Sequence, residues 1–225
     1  QVLVQLDCGV ARARYGAWLG AVRPQLEGDA LAPLVLEGLR HPLLLWQERR
    51  QQGHQVVPVT VTVSSQLRVV AITGPNTGGK TVTLKSVGLA ALMARAGLFL
   101  PCSGTPRLPW CGQVLADIGD EQSLQQNLST FSGHIRRIAR ILEALPAAAG
   151  EGIRVGAALV LLDEVGAGTD PLEGSALATA LLKHLAERAR LTIATTHFGE
   201  LKALKYADPR FENASVAFDV DTLSP

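Results

Sequence analysis

Three short stretches of the chain hold residues whose types and spacing suit chemistry on a bound anion. Gly74-Pro75-Asn76-Thr77-Gly78-Gly79-Lys80-Thr81 has the pattern G-x-x-x-x-G-K-[ST]. Glycines at this spacing let a backbone wrap around phosphates with its N–H groups turned inward, and a following helix adds the positive end of its dipole. On this reading Lys80 reaches the outer phosphates and the Thr81 hydroxyl is a Mg²⁺ ligand. Ala157 to Leu162 is a continuous apolar run that ends in Asp163-Glu164. A buried parallel strand ending in acids delivers them to the ligand crevice, where Asp163 would hold Mg²⁺ and Glu164 would activate a water. His197 follows another apolar run, Leu191–Thr196, and is placed to meet either the terminal phosphate or the attacking water. Ser129-Thr130-Phe131-Ser132-Gly133-His134 precedes an amphipathic stretch. There Ser129 or Ser132 caps a helix, or the helix start is a second anion site that completes another subunit's phosphate loop.

The elements that position these groups are read from periodicity. Leu67–Thr73 is a buried strand, and Lys80 to about Ala96 is a helix with Leu84, Val87, Ala91 and Ala94 on one face. Val56–Val63 alternates as a half-buried strand near an edge because of Pro58. Gln113–Ile118 is a short strand. Ser132–Leu145 is a helix with Ile135, Ile138, Ala139, Leu142 and Leu145 buried, leaving Arg136, Arg137 and Arg140 on a solvated face. Gly174–Arg188 is a helix with Ala178, Leu181, Leu182 and Leu185 inward, and a short helix runs to about Tyr206. Residues 1–20 read as a helix with Leu3, Leu6, Val10, Ala13 and Ala17 on one stripe, and 23–34 as a linker. Strands alternating with helices predict an α/β fold with a mostly parallel sheet, helices on both faces and an antiparallel edge region.

Composition bounds the rest. The 225 residues are 47% hydrophobic and 4% aromatic with a net charge of +1. That excludes a polybasic protein and argues against stacked aromatic platforms for single-stranded nucleic acid. The neutrality hides a split: residues 1–110 carry 11 Lys+Arg against 5 Asp+Glu, and 111–225 carry 10 against 15. Three cysteines without a CxxC spacing point to a reducing, cytoplasmic setting. No apolar run approaches the roughly 18 residues of a membrane span. The chain starts at Gln1, inside the helical reading, and ends at Asp-Thr-Leu-Ser-Pro, as expected of a fragment.

The order of phosphate loop, Ser-rich helix start, Asp-Glu strand, glycine loop and His resembles the ABC-type P-loop ATPases. The runs Gly74 to Lys85, Ser129-Thr130-Phe131, Asp163 to Gly174 and Thr195-Thr196-His197 resemble the ATPase domain of the MutS family. Thr77, Thr81, Asp170-Pro171 and Ser132-Gly133-His134 narrow the resemblance to the MutS-two branch, the bacterial paralogues without mismatch-recognition domains. The resemblance covers about residues 35–219. It implies a boundary near residue 32, with 1–32 as the tail of core helices plus linker and 33–225 as an ATPase domain truncated at its C-terminus.

The resemblance further implies a Mg²⁺-dependent ATPase that forms a homodimer with two composite ATP sites. Lys80, Thr81, Asp163, Glu164 and His197 come from one subunit, and Ser129, Thr130 and Ser132 from the other. The adenine side maps to His54, Val56 and Val57, with no aromatic to stack on the base. Asp117 to Gln122 supply the loop that senses Mg²⁺ and water. Whole proteins of this branch add a Smr nuclease domain, so cleavage of nucleic acid is not expected of this segment. They are associated with branched or double-stranded DNA, in suppressing recombination, and with splitting collided ribosomes. A nucleotide-gated DNA clamp with little hydrolysis, or another ABC-type ATPase, are the competing expectations.

Overall fold

The computed structural model describes residues 1–28, 32–50, 55–74, 79–119, 127–145 and 157–215, the side chains of 127–130 excepted. The chain divides into two compact units, and the division falls within one helix. The first unit is Gln1–Ser65 with Lys85–Cys111; the second is Gln66–Leu84 with Gly112–Pro225.

The first unit opens with α1 (Val2–Leu19), closed by Gly20 in the left-handed region at φ 63°. The sequence placed Leu3, Leu6 and Val10 on a buried stripe; they are exposed, and Gly16 and Leu19 are the buried residues of this helix. The stretch read as a linker holds β1 (Gln25–Glu27) and leads to β2 (Leu34–Leu39); α2 is Pro42–Arg50 and β3 is Val59–Val63. The last strand of this unit, here β5, is Arg107–Pro109, within a stretch expected to be loop. These four strands form their own sheet in the order β1-β5-β2-β3, with β2 antiparallel to both β3 and β5. The antiparallel region is therefore a separate sheet, and β3 lies at its edge, as Pro58 before it requires. Among its core residues are Leu34, Leu36 and Leu39, alternating inward along β2 until a register shift before Leu39.

The second unit holds a five-stranded sheet that is parallel throughout: β6 (Gln113–Asp117), β7 (Ala158–Leu162), β8 (Leu191–Thr195), β4 (Val69–Thr73) and β9 (Phe211–Ser215), in that order. Every residue of β4, β7 and β8 is buried, which is why these segments read as unbroken apolar runs. Helix α3 (Lys80–Arg95) follows β4, α4 (Asn127–Ala144) follows β6, and α5 (Pro171–Arg188) follows β7. A short 3₁₀ turn (Gly199–Ala203) and α6 (Leu204–Ala207) lead to β9.

The core of this unit joins Val160 and Leu162 of β7 to Ala178, Leu181, Leu182 and Leu185 of α5. From α4 it takes Ile141, with Leu145 just beyond the helix end. The predicted α4 stripe is corrected in one place: Ala139 is exposed and Ile141 is buried, while Ile138 and Leu142 pack on the core edge. Each fully buried aliphatic side chain in this layer contributes about 1.5–3 kcal/mol relative to exposure. Because all five strands are parallel, their C-terminal ends share one rim, and Asp117, Asp163, the Thr195–His197 segment and Gly74 all lie along it.

Candidate active site

The rim is assembled around one hydroxyl. The side chain of Thr195, fully buried at the end of β8, donates to Asp163 Oδ1 at 2.6 Å and accepts from the Glu164 backbone N–H at 2.7 Å. The same Asp163 oxygen accepts from the Thr81 hydroxyl at 3.2 Å, at the start of α3. Thus β7, β8 and the helix after the phosphate loop are fixed to one another through a single carboxylate oxygen. Two backbone bonds hold this arrangement: Asp163 N–H donates to the Asp117 carbonyl at 2.8 Å, and Val165 N–H to the Thr195 carbonyl at 3.0 Å.

Glu164 adopts φ 50°, among the described residues the only one other than glycine in the left-handed region. A side chain there is uncommon and costs of order 1–3 kcal/mol, held in place by its surroundings. The turn aims Glu164 toward His197, whose Nε2 lies 3.4 Å from Glu164 Oε1. The His197 side chain is 46% exposed, so this pair faces solvent.

Lys80 is 1% exposed, and its ammonium donates to the Gly74 carbonyl. Burial pulls its pKa down, partly opposed by the charges of Glu164 and Asp163. Gly74 and Gly79 both have positive φ, at 133° and 76°, which bends the chain from β4 into α3. Pro75, Asn76, Thr77 and Gly78 lie outside the described residues. Thr81 and Asp163 together present a hydroxyl and a carboxylate, hard oxygen donors of the kind Mg²⁺ takes alongside waters and phosphates.

After Glu164 the chain crosses against the first turn of α5. A Cβ on Gly166 would lie 2.4 Å from the Gly174 carbonyl oxygen, and a Cβ on Gly174 would lie 2.3 Å from that of Gly166. Asp170 caps α5, accepting from Leu172 N–H at 3.0 Å and Glu173 N–H at 3.3 Å, with Pro171 at the first helical position. The helix therefore starts three residues earlier than Gly174.

The signature segment is also displaced relative to the sequence reading. Helix α4 begins at Asn127, so Ser129 and Thr130 lie in its first turn and Ser132 in the second, exposed and no cap. Phe131 packs over Gly168, with its Cβ 3.4 Å from where a Gly168 side chain would begin. Asp117, read as a sensor, is buried and occupied: its Oδ2 is 2.7 Å from His134 Nδ1, and its Oδ1 accepts from Arg137 Nε. Burial pushes its carboxyl up, but the hydrogen bonds and charges of His134 and Arg137 outweigh that and hold it below the ordinary 3.8. Arg137, placed by periodicity on a solvated face, is therefore an ion-pair partner. Val56 and Val57 belong to the first unit, and His54 lies outside the described residues.

Thr195 is the residue that sequence reasoning passed over. A threonine at the C-terminal end of a buried strand, two residues before His197, was the available signal.

Residues 70–223 match the family described as MutS domain V. The chain belongs to the MutS family. It is 61% identical over its whole length to Endonuclease MutS2 of Synechocystis sp., of which it spans 28%. It is 48% identical to Endonuclease MutS2 of Symbiobacterium thermophilum, of which it spans 26%, and 46% identical to that of Halothermothrix orenii, of which it spans 25%. The chain thus spans about a quarter of the relatives it matches, and within the MutS family its likeness is to the ATPase domain of MutS2-type members. Among the described residues no helix is long and apolar enough to cross a membrane.

Proposed function

We propose that this segment is a P-loop ATPase of the ABC type that binds ATP with Mg²⁺ and hydrolyses it at two sites shared across a homodimer. The observation that carries the reading is the shared oxygen of Asp163, on which the Thr81 and Thr195 hydroxyls both converge. Such a carboxylate is fixed in place before ligand arrives, which is what electrostatic catalysis of phosphoryl transfer asks of it.

In this mechanism the Gly74–Thr81 loop, including Pro75 to Gly78, cradles the phosphates, and Lys80 neutralises charge that develops on the outer ones. Its burial strengthens that interaction, because little water screens it. Thr81 and Asp163 hold the Mg²⁺, which when bound supplies positive charge to the bridging phosphate oxygens. Glu164 accepts a proton from water at the terminal phosphate, and His197, beside it, orients that water or the phosphate. Ser129, Thr130 and Ser132 of α4 complete the site of the partner subunit. His54, Val56 and Val57 flank the adenine, and residues 1–32 belong with core helices outside the ATPase domain.

In the whole bacterial, cytoplasmic protein, closure of the dimer around ATP couples to gripping branched or double-stranded DNA, or a ribosome. Endonuclease action, named for the relatives, is assigned to parts outside this segment.

The test is equilibrium binding of a fluorescent ATP analogue. Lys80→Ala is expected to abolish binding, and an affinity equal to the parent's contradicts the reading. The client is tested with full-length protein carrying Glu164→Gln and held with ATP. Recovery of ribosomes alone removes the DNA role, and recovery of branched DNA alone removes the ribosomal one.

A further inference from the structure

Helix α4 carries the segment proposed to serve the partner's site, so what fixes α4 to its own subunit is a functional question. Two contacts near its start do so. The first is the ion cluster of Asp117, His134 and Arg137. The second is Phe131 over Gly168. Asp117 ends β6, and its carbonyl accepts from the backbone of Asp163, the residue on which Thr81 and Thr195 converge. Gly168 lies in the loop that follows Glu164. A small cleft bounded by Asp117, Phe131, His134, Glu164 and Gly166 separates the helix from that loop.

The charges around the cluster make it a device of position. Asp117 is buried to 2% exposure at the rim, and its two carboxylate oxygens are each engaged from one face of α4, at the i and i+3 positions. A carboxylate buried like this costs several kcal/mol unless its partners stay in place. The helix therefore cannot slide along the sheet edge without uncovering it. Charge-assisted bonds of this kind are also directional, and a guanidinium with an imidazole defines both axial placement and rotation.

The geometry points to Asp117, His134 and Arg137 as positioning residues that register α4 against the Asp163–Glu164 strand end, so that the metal-side carboxylate of one site sets where the signature segment stands for the other. The inference rests on the proposed composite site. It adds the physical link between the two halves of each subunit's contribution. The link runs from Thr81 and Thr195 to Asp163, across the backbone bond to Asp117, and through the ion cluster into α4. Displacement of a positioning group by about 1 Å lowers turnover on the order of a hundredfold without touching the reacting groups.

The experiment uses the full-length protein with Arg137→Ala, chosen because Arg137 is half-exposed and its loss leaves no cavity. Affinity for the fluorescent ATP analogue is expected to stay within about twofold of the parent, since the phosphate-side residues are untouched, while kcat falls about tenfold or more. Arg137→Lys is expected to recover part of kcat. Unchanged kcat, or a loss of affinity as large as the loss of kcat, overturns the positioning role whatever becomes of the composite site. Mixed dimers then separate the two claims. With Lys80→Ala on one subunit, placing Arg137→Ala on that same subunit is expected to remove the remaining turnover. Placing it on the other subunit is expected to spare it. The reverse pattern shows that α4 serves its own subunit and overturns the shared site. Equal turnover in both arrangements overturns the tie.

Discussion

At the scale of single residues, Thr195 is the position where removing least should disturb most. Its hydroxyl satisfies a buried carboxylate and the amide of a left-handed glutamate at once. Thr195→Val keeps the shape and leaves both groups without that partner. We expect a stability loss of about 1–3 kcal/mol by calorimetry and a fall in turnover of about tenfold or more as Glu164 loses its bearing. Stability and turnover both equal to the parent would contradict the bridging role. Asp117 gives a second prediction. Its carboxyl is held below its ordinary 3.8, so the ion cluster adds stability that is complete above that value and lost as pH falls through the folded value. The melting-temperature gap between the parent and Arg137→Ala should therefore be open at neutral pH and close under acid. A gap constant with pH would contradict the charge pairing. Lys80, Thr81, Asp163 and Glu164 were legible from motif spacing alone, because their chemistry fixes both residue type and neighbours. Thr195 and the Asp117 cluster were not, because an ordinary threonine and an arginine on a helix carry no signal until the sheet order brings them beside a carboxylate.

At the scale of elements, the loop after Glu164 and the first turn of α5 are joined backbone to backbone. Gly166 and Gly174 each occupy the only space the other's carbonyl leaves. Gly174→Ala must shift one of these backbones, and a loss of about 1–3 kcal/mol of stability is expected, the usual cost of an overpacked contact. Thermal melting checks it, and an unchanged midpoint would mean that the two backbones separate freely. The same close approach explains why the start of α5 was misread. Gly174 reads as a helix boundary, but Asp170 and Pro171 cap the helix three residues before it, and the glycine is there for its missing side chain. Strands β4, β7 and β8 were legible because both faces are buried and the residues are uniformly apolar. Strand β9, Phe-Glu-Asn-Ala-Ser, was not: it sits at the sheet edge beside β4, and only Phe211 is buried. Strand β2 was hidden in a similar way. Gly38 at φ 57° interrupts it between Leu36 and Leu39, so its alternation does not run to its end.

At the scale of the molecule, the division into two units reorganises the charge split seen along the sequence. The first unit holds 9 Lys+Arg against 5 Asp+Glu, and the second 12 against 15. Lys80, which lies in the basic half of the sequence, belongs by folding to the acidic unit, with Asp163 and Glu164. The chain returns to the second unit through Gly112 because β6 must stand beside β7 for Asp117 to receive the Asp163 amide. The fold thus gathers onto one rim groups separated by more than a hundred positions, and the account's central claim is that this rim hydrolyses ATP with Glu164 as the base. Single-turnover hydrolysis by Glu164→Gln, in the presence of ATP and Mg²⁺ and with protein in excess, tests that claim most directly. The account predicts ATP affinity like the parent's and a hydrolysis rate lower by on the order of a hundredfold or more. A rate equal to the parent's would contradict it.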